Sequence, residues 1–420
     1  MPKTRTYHDP LHGAITLDGR DPVEAILIQL IDTRAFQRLR RIRQLGPASL
    51  TFHGAESSRF THSLGVMAIA RRAFDRLAKR YSELQQHRAA LLCAALLHDI
   101  GHGPFSHTSE EVFGSHHERW TQRILSEDVD IRQLLDSFSP TLLPAILQIQ
   151  QQQHPLPLIW QLVSSQLDCD RMDYLLRDSY FTGASYGQLD LDRILLALDY
   201  DPASQQLVVA RKGLSAIEHY LVVRYFMYAQ IYNHAKNLCA TWTLEQIFSR
   251  ARQLLQQGQL LADETVAAWL SQPIEQLSLA QYLAGDDIVF SYHVQRWQEH
   301  SDSQLSTLCQ QLVNRRLLKA IDVSQYSSVE QAQMLAALQQ RIGSDSASCS
   351  GLRHIWSRGY TLYQRGIKVK TPTGLVEISQ ISALVKTLTQ PHQRTWLLYP
   401  SELRFEIASL IDSALSEPVA

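Results

Sequence analysis

Residues 87–100 read HRAALLCAALLHDI, and from Ala89 to Leu97 every residue is apolar. A helix with no polar stripe cannot lie on a surface; other elements must wrap it on all sides. This stretch therefore commits the chain to a multi-helix packing with this segment at its centre. At 420 residues the chain is long enough for a large core and two or three domains. The helix runs directly into HDIGHGPFSH, residues 98–107, which holds three histidines and an aspartate. A buried carboxylate is costly unless it is paired or bound to a cation, and a neutral imidazole beside it offers a nitrogen ligand. Polar chemistry is expected at the end of the most apolar element.

The periodicity around this segment is mostly helical. Residues 23–45 keep apolar positions at helical spacing, with Gly46-Pro47 as the stop. A helix begins near THSLGVMAIARRAFDRLAKR, with Thr61 and Ser63 as cap candidates and His62 near its N-terminal end. Gly101 is the expected C-cap of the apolar helix. Residues 115–180 read as helix punctuated by proline, and LIWQLVSSQLDCDRMDYLLRDS reads as one long amphipathic helix. SQQLVVARKG alternates like a short strand or hairpin arm, and AIEHYLVVRYFMYAQIYNHAKNLCATWTLEQIF returns to helix. The expected organisation is a helical core over 1–250, a helical extension over 251–345 and a small α/β region over 346–420. The fold class is mainly α, with the α/β region as a smaller C-terminal appendage. No solenoid-type repeat is present.

Net charge sets limits on partners. Lys and Arg total 40 against 41 Asp and Glu, so there is no global attraction to nucleic acid or anionic membrane. The five cysteines are scattered, without a C-x-x-C pair, which suits a reducing compartment. No run of 18 apolar residues indicates a membrane span, and MPKTRTYHDP has no apolar signal core. A cytoplasmic location is expected.

Three segments converge on a metal-site reading. His62 stands at the mouth of one core helix and His98-Asp99 end another. LDCDRMDYLLRD places Asp168, Asp170 and Asp173 within six residues of a third. Two histidines and two carboxylates make a mixed nitrogen and oxygen site, suited to Mn²⁺, Fe²⁺, Co²⁺, Ni²⁺ or Zn²⁺ more than to Ca²⁺. Arg59, three residues before His62, is a fork-shaped donor for phosphate oxygens. Arg171, Tyr174 and Asp178 share one helical stripe beside Asp170.

The spaced set His62, His98-Asp99, Asp170 resembles the HD-superfamily phosphohydrolase pattern. HDIGHGPFSH and DRMDYLLRD together resemble its deoxynucleoside triphosphate triphosphohydrolase branch. DPLHGAITL, IDTRAFQRLRRIRQLG, RFTHSLGV and RYFMYAQIYNH extend the likeness from about residue 7 to about 245. The resemblance implies an HD-domain helical core over the first segment and a reaction. A metal-activated water attacks the α-phosphorus of a dNTP and releases deoxynucleoside and triphosphate.

Carried over position by position, the resemblance implies His62, His98, Asp99 and Asp170 as metal ligands, with Asp173 behind them. Mg²⁺ would accompany the triphosphate. His117 protonates the leaving 5′-oxygen and Glu110 orients it, although relatives have Asp there. Arg59, His102 and His107 approach the α-phosphate. Arg171, Tyr174 and Arg224 meet the outer phosphates, with Arg171 where Lys is common. Asp178 takes the sugar 3′-hydroxyl, Gln44 and Leu45 contact the sugar, and Tyr232 stacks on the base. Ala235 stands where many relatives have Lys. Asp32, Gln37 and Arg40 match positions that bind an activating nucleotide between subunits, so a homo-oligomer, dimer or tetramer, is implied. Two other readings stay open. One is an HD phosphohydrolase acting on another nucleotide, such as a monophosphate or a signalling nucleotide. The other is a non-catalytic nucleotide-sensing or nucleic-acid-binding scaffold, against which the near-zero net charge argues.

Overall fold

A computed structural model of the chain describes residues 4–343, 346–357, 359–361 and 366–416. It is mainly α-helical with three small sheets. Among the described residues no helix is long and apolar enough to cross a membrane.

The centre is the apolar helix Arg88–Leu97, in which every side chain from Leu91 to Leu97 is 0% exposed. Each leucine so buried contributes about 1.5–3 kcal/mol. Helix Arg59–Ala78 packs along it and, on another face, along helix Cys169–Thr182. These three helices deliver His62, His98-Asp99 and Asp170 to one end of the bundle. The helix carrying His62 starts earlier than its sequence suggests: Ser58, not Thr61 or Ser63, is the N-cap and accepts from the Thr61 amide. His62 thus lies in the first turn, already 0% exposed.

Local side-chain bonding breaks two stretches that periodicity reads as continuous. Residues 23–45 form helix Pro22–Asp32, helix Arg34–Arg38 and a 3₁₀ turn at Leu39–Arg41. Thr33 is extended, and its hydroxyl caps the second helix at the Phe36 amide. Residues 157–182 split into Pro157–Val163 and Cys169–Thr182. There Asp168 accepts from the amides of Ser165 (2.7 Å) and Arg171 (2.8 Å), which turns the chain and caps the second helix. Helix Leu214–Met227 passes into a π-helical turn at Tyr228–Tyr232 before Ala235–Gln256 begins.

Gly101 is not a C-cap. Its φ is not among the left-handed glycines, and helix Arg88–Leu97 ends at His98. A Cβ there would come within 2.2 Å of the His117 carbonyl oxygen, so the glycine is needed for close approach of helix His117–Glu127.

The segment after 256 holds the HD turn from outside. An aromatic cluster joins Phe105, Phe113 and Trp120 to Phe248, Trp269, Tyr282 and Phe290. Tyr282 stacks on Trp120 at 3.6 Å and donates to the Gly101 carbonyl at 2.6 Å. Asp287 accepts from the amides of Phe105 (2.6 Å) and Arg43 (3.0 Å). Arg38, 1% exposed, donates to the carbonyls of His102 (2.7 Å) and Gly285 (2.9 Å).

The C-terminal strands divide between two sheets. Lys368–Thr371 pairs in parallel with Gln206–Ala210, in register Val209 with Val369, and antiparallel with Gly374–Glu377. Leu198–Asp201 completes that sheet on the other side. The second sheet sets His392–Tyr399 between Lys319–Asp322 and Gly351–Ser357, all antiparallel. Helix Ala235–Gln256 runs unbroken through residue 250.

Candidate active site

Four ligand-type side chains meet where the three core helices end. His62 Nε2 lies 3.0 Å from Asp170 Oδ1 and 3.5 Å from Asp99 Oδ2. His98 Nε2 lies 3.4 Å from Asp99 Oδ1 and 3.5 Å from Asp170 Oδ1. Ligands held at about 2.1 Å around one ion are about 3 Å apart, so these spacings are those of a coordination sphere. Both histidine tautomers are set from behind. His98 Nδ1 donates to the Ala95 carbonyl at 2.8 Å and His62 Nδ1 bonds Asp173 at 2.8 Å, so in each ring Nε2 is the nitrogen turned toward the carboxylates. His98 Nε2 is buried without a hydrogen-bond partner. That orphaned nitrogen, aimed between two carboxylates, fits a divalent cation. Burial opposes charge on His62, yet Asp170 and Asp173 lift it to about 9. The field that favours a proton there favours a cation in its place.

Asp173 is itself fully buried. Arg177 donates to it at 2.8 and 3.0 Å, and His12 Nε2 lies 2.6 Å away. Arg177 in turn pairs with Asp9 at 2.8 Å. His12 carries no site signal in the sequence, and the only signal for Arg177 is its i, i+4 spacing from Asp173.

A second histidine cluster lies beside the first. His102 stacks on His117, ring centroids 4.1 Å and planes 9° apart, with His107 edge-on to both. His102, His107, Glu110 and His117 bring ligand-type atoms within 4.8 Å of one another. Imidazole lone pairs lie in the ring plane, so parallel stacked rings cannot converge them on one ion. The rings are arranged for stacking and hydrogen bonding rather than for joint coordination. His117 Nδ1 bonds Glu110, which burial would raise but bonds from His107 and His117 hold below the usual carboxylate range. Burial, Arg59 and His117 keep His102 far below the ordinary imidazole value, hence neutral.

The two clusters share a cavity of ≈ 360 Å³, within the usual range for ligand sites. Gln44, Leu45, Arg59, Asp99, His102, His107, His117, Asp170, Arg171, Tyr174, Asp178 and Tyr232 all line it. Arg59 is buried and already bonded to Asp99 and to Ser106. Phe105 and Ser106 both take φ of +61°, a strained pair that puts Ser106 in reach of Arg59. Arg171 pairs with Asp168. Tyr232 donates to Asp178 Oδ2 at 2.9 Å, while Asp178 Oδ1 is buried without a partner. Burial pushes the Asp178 carboxyl up to about 7, against the Tyr232 bond. Tyr228, Glu118 and Ser164 also line the cavity and carried no sequence signal for it.

Some expected residues lie elsewhere. Arg224 donates to Gln166 at 2.8 Å and is not among the lining residues. Asp32 is exposed and paired with Arg5 at 2.5 Å. Gln37 donates to the Ile31 carbonyl and accepts from Arg40, each at 2.8 Å, and Arg40 covers the Phe60 ring. The sequence also clusters Arg353, Arg358, Arg365, Lys368 and Lys370 as a basic face; Arg353 pairs with Glu245 and Lys370 with Asp199, while Arg358 and Arg365 lie outside the described residues.

Known proteins resemble this chain in sequence and in fold. Residues 59–176 match the HD domain, and residues 189–348 match the HD associated region. The uncharacterized protein YwfO of Bacillus subtilis is 36% identical, over 96% of this chain and 94% of that protein. The deoxynucleoside triphosphate triphosphohydrolase SAMHD1 homolog of Dictyostelium discoideum is 29% identical, over 62% of this chain and 52% of that one. A phosphohydrolase of solved structure from Bacteroides thetaiotaomicron, 28% identical, superposes with a TM-score of 0.82 over 94% of this chain and 100% of its own.

Proposed function

This chain belongs to the HD-domain family of phosphohydrolases, and on that premise we propose that it hydrolyses dNTPs to deoxynucleoside and triphosphate. The single observation that carries the reading is the make-up of the ≈ 360 Å³ cavity: the two carboxylates of the cation site, three clustered histidines and a sugar-type acceptor line one space. A SAMHD1 homolog among the relatives supports the substrate class.

His62, His98, Asp99 and Asp170 would hold a divalent transition metal. Such an ion supplies Lewis-acid polarisation and water of lowered pKa. The remaining steps fall to the chain. Arg59 and neutral His102 hold the α-phosphoryl oxygens against Asp99, and His107 borders the same space. His117, oriented by Glu110, gives its proton to the 5′-oxygen as the bond to phosphorus breaks, which general-acid catalysis requires. Arg171 and Tyr174 bind the outer phosphates, with Mg²⁺ as their counter-ion. The free Oδ1 of Asp178 accepts the 3′-hydroxyl, and Gln44 and Leu45 close on the sugar while Tyr232 covers the base. Asp32, Gln37 and Arg40 form the proposed activator contact in a homo-oligomer.

A second reading has one observation in its favour. Arg224 donates to Gln166 and is not among the lining residues, which leaves a set of cations better matched to a shorter phosphate chain than to a triphosphate. Chromatography of products separates the two. Purified protein with Mn²⁺ and each dNTP should yield deoxynucleoside and intact triphosphate. Release of orthophosphate, or turnover of nucleoside monophosphates alone, would sink the triphosphohydrolase reading.

A further inference from the structure

Arg224 lies one side chain behind the wall of the main cavity. Its Cζ sits 5.8 Å from the centre of the Tyr228 ring, and Tyr228 lines the cavity with its hydroxyl 3.3 Å from that of Tyr174. The guanidinium is buried but weakly held. Nη1 donates to Gln166 Oε1 at 2.8 Å, while Nε is buried without a partner. Gln166 is itself 6% exposed, and its carbonyl accepts from the Tyr220 hydroxyl at 3.1 Å, which anchors the backbone there independently of the side chain. Arg171 is held differently: it lines the cavity and pairs with the carboxylate of Asp168. Arginine meets phosphate through two parallel bonds between opposite charges, whereas an amide oxygen offers one acceptor and no charge. The Gln166 bond is therefore one that a phosphate oxygen can displace.

Resting on the dNTP reading, we propose that Gln166 is a positioning residue for Arg224 and sets the site's preference for phosphate-chain length. It keeps Arg224 behind Tyr228 until a chain long enough to compete for the guanidinium enters. A single phosphate is met at Arg59 and His102 and does not call on Arg224. A triphosphate gains Arg224 only by breaking the Gln166 bond, so its apparent affinity is lowered by the fraction of molecules in which that bond is open.

Two measurements on the full, metal-loaded chain test this. The first is calorimetric titration with inorganic tripolyphosphate and with orthophosphate, each as its Mg²⁺ complex. The second is the steady-state kinetics of dNTP hydrolysis. Gln166→Ala should tighten tripolyphosphate about tenfold and leave orthophosphate within about twofold. Gln166→Glu, which sets a carboxylate against Arg224, should weaken tripolyphosphate at least about tenfold. With a dNTP the change should fall on KM, with kcat within about twofold of wild type. Adding Arg224→Ala should erase the difference between the two Gln166 variants. A merely structural role would move both variants in the same direction. That result, unchanged tripolyphosphate binding in both, or a difference that survives Arg224→Ala overturns the assignment and leaves the reaction standing. The expected tripolyphosphate pattern with no dNTP hydrolysis by the wild-type chain overturns the reaction and leaves the hold of Gln166 on Arg224 standing.

Discussion

At the scale of single residues, the chain places Asp173 where it controls a ligand it does not replace. Asp173 holds the Nδ1 proton of His62, so Nε2 is the nitrogen turned toward the cation site. Asp173→Asn should lower Mn²⁺ affinity by about 10–100-fold, read by metal titration of the purified protein. An affinity equal to wild type would assign Asp173 to packing alone. His62, lifted to about 9, is protonated in the metal-free protein at pH 7, so metal binding must expel a proton. Metal affinity should therefore rise with pH up to about 9, and calorimetry in buffers of different ionisation enthalpy should register proton release. Under the proposed function, Asp178 works in the opposite sense for substrate. Pushed up to about 7 by burial, it loses its acceptor role as pH falls below that value. KM should climb on acidification, and Asp178→Asn should raise KM and flatten that dependence.

At the scale of elements, the HD turn is positioned by segments distant in sequence. Asp287 closes two backbone amides that the turn and the Arg43 strand-like segment would otherwise bury unpaired. Losing such an acceptor costs about 1–3 kcal/mol per amide. Asp287→Ala should lower the melting temperature and reduce kcat/KM together, because Phe105 and Ser106 lose the support of their left-handed backbone. Asp287→Asn, which keeps one acceptor oxygen, should fall between the two. A stable Asp287→Ala protein with full activity would count against this coupling. Periodicity could not find the contact: Asp287 reads as an ordinary helix-start acid, and only the fold brings it to residue 105.

At the scale of the whole molecule, the C-terminal strands are shared with the core. Val369 is 0% exposed against the sheet of residues 198–210, and Lys370 pairs with Asp199 at 2.9 Å. A chain ending at residue 345 would expose that sheet edge and the buried face around Leu317, Leu318 and Cys239, which Leu398 covers. Size-exclusion chromatography should find it aggregated, whereas a monodisperse, folded 1–345 fragment would make 346–420 an independent unit. The mainly helical class was legible because its driving signals are local: apolar periodicity, prolines and a helix with no polar face. The breaks at Thr33 and Ser164–Asp168 were not, because a side-chain cap overrides periodicity without altering it.

The sequence by itself determined that an entirely apolar helix must be central and that its polar end must hold something charged. Burial of a carboxylate leaves no other economical outcome, and HD-type spacing narrowed the ligands to His62, His98, Asp99 and one of the neighbouring aspartates. The resemblance pointed to Asp170, with Asp173 behind it, and the tertiary structure supplies the geometry that tells the three apart. Asp168 turns inward to cap its own helix, Asp170 faces the histidines and Asp173 stands behind His62. All three lie within six residues, so only the direction each side chain takes from the helix distinguishes them. That direction is set by where the helix starts and what it packs against. The stacking of His102 on His117 and the bond from Arg224 to Gln166 were likewise decided in three dimensions, by contacts between residues not adjacent in the chain.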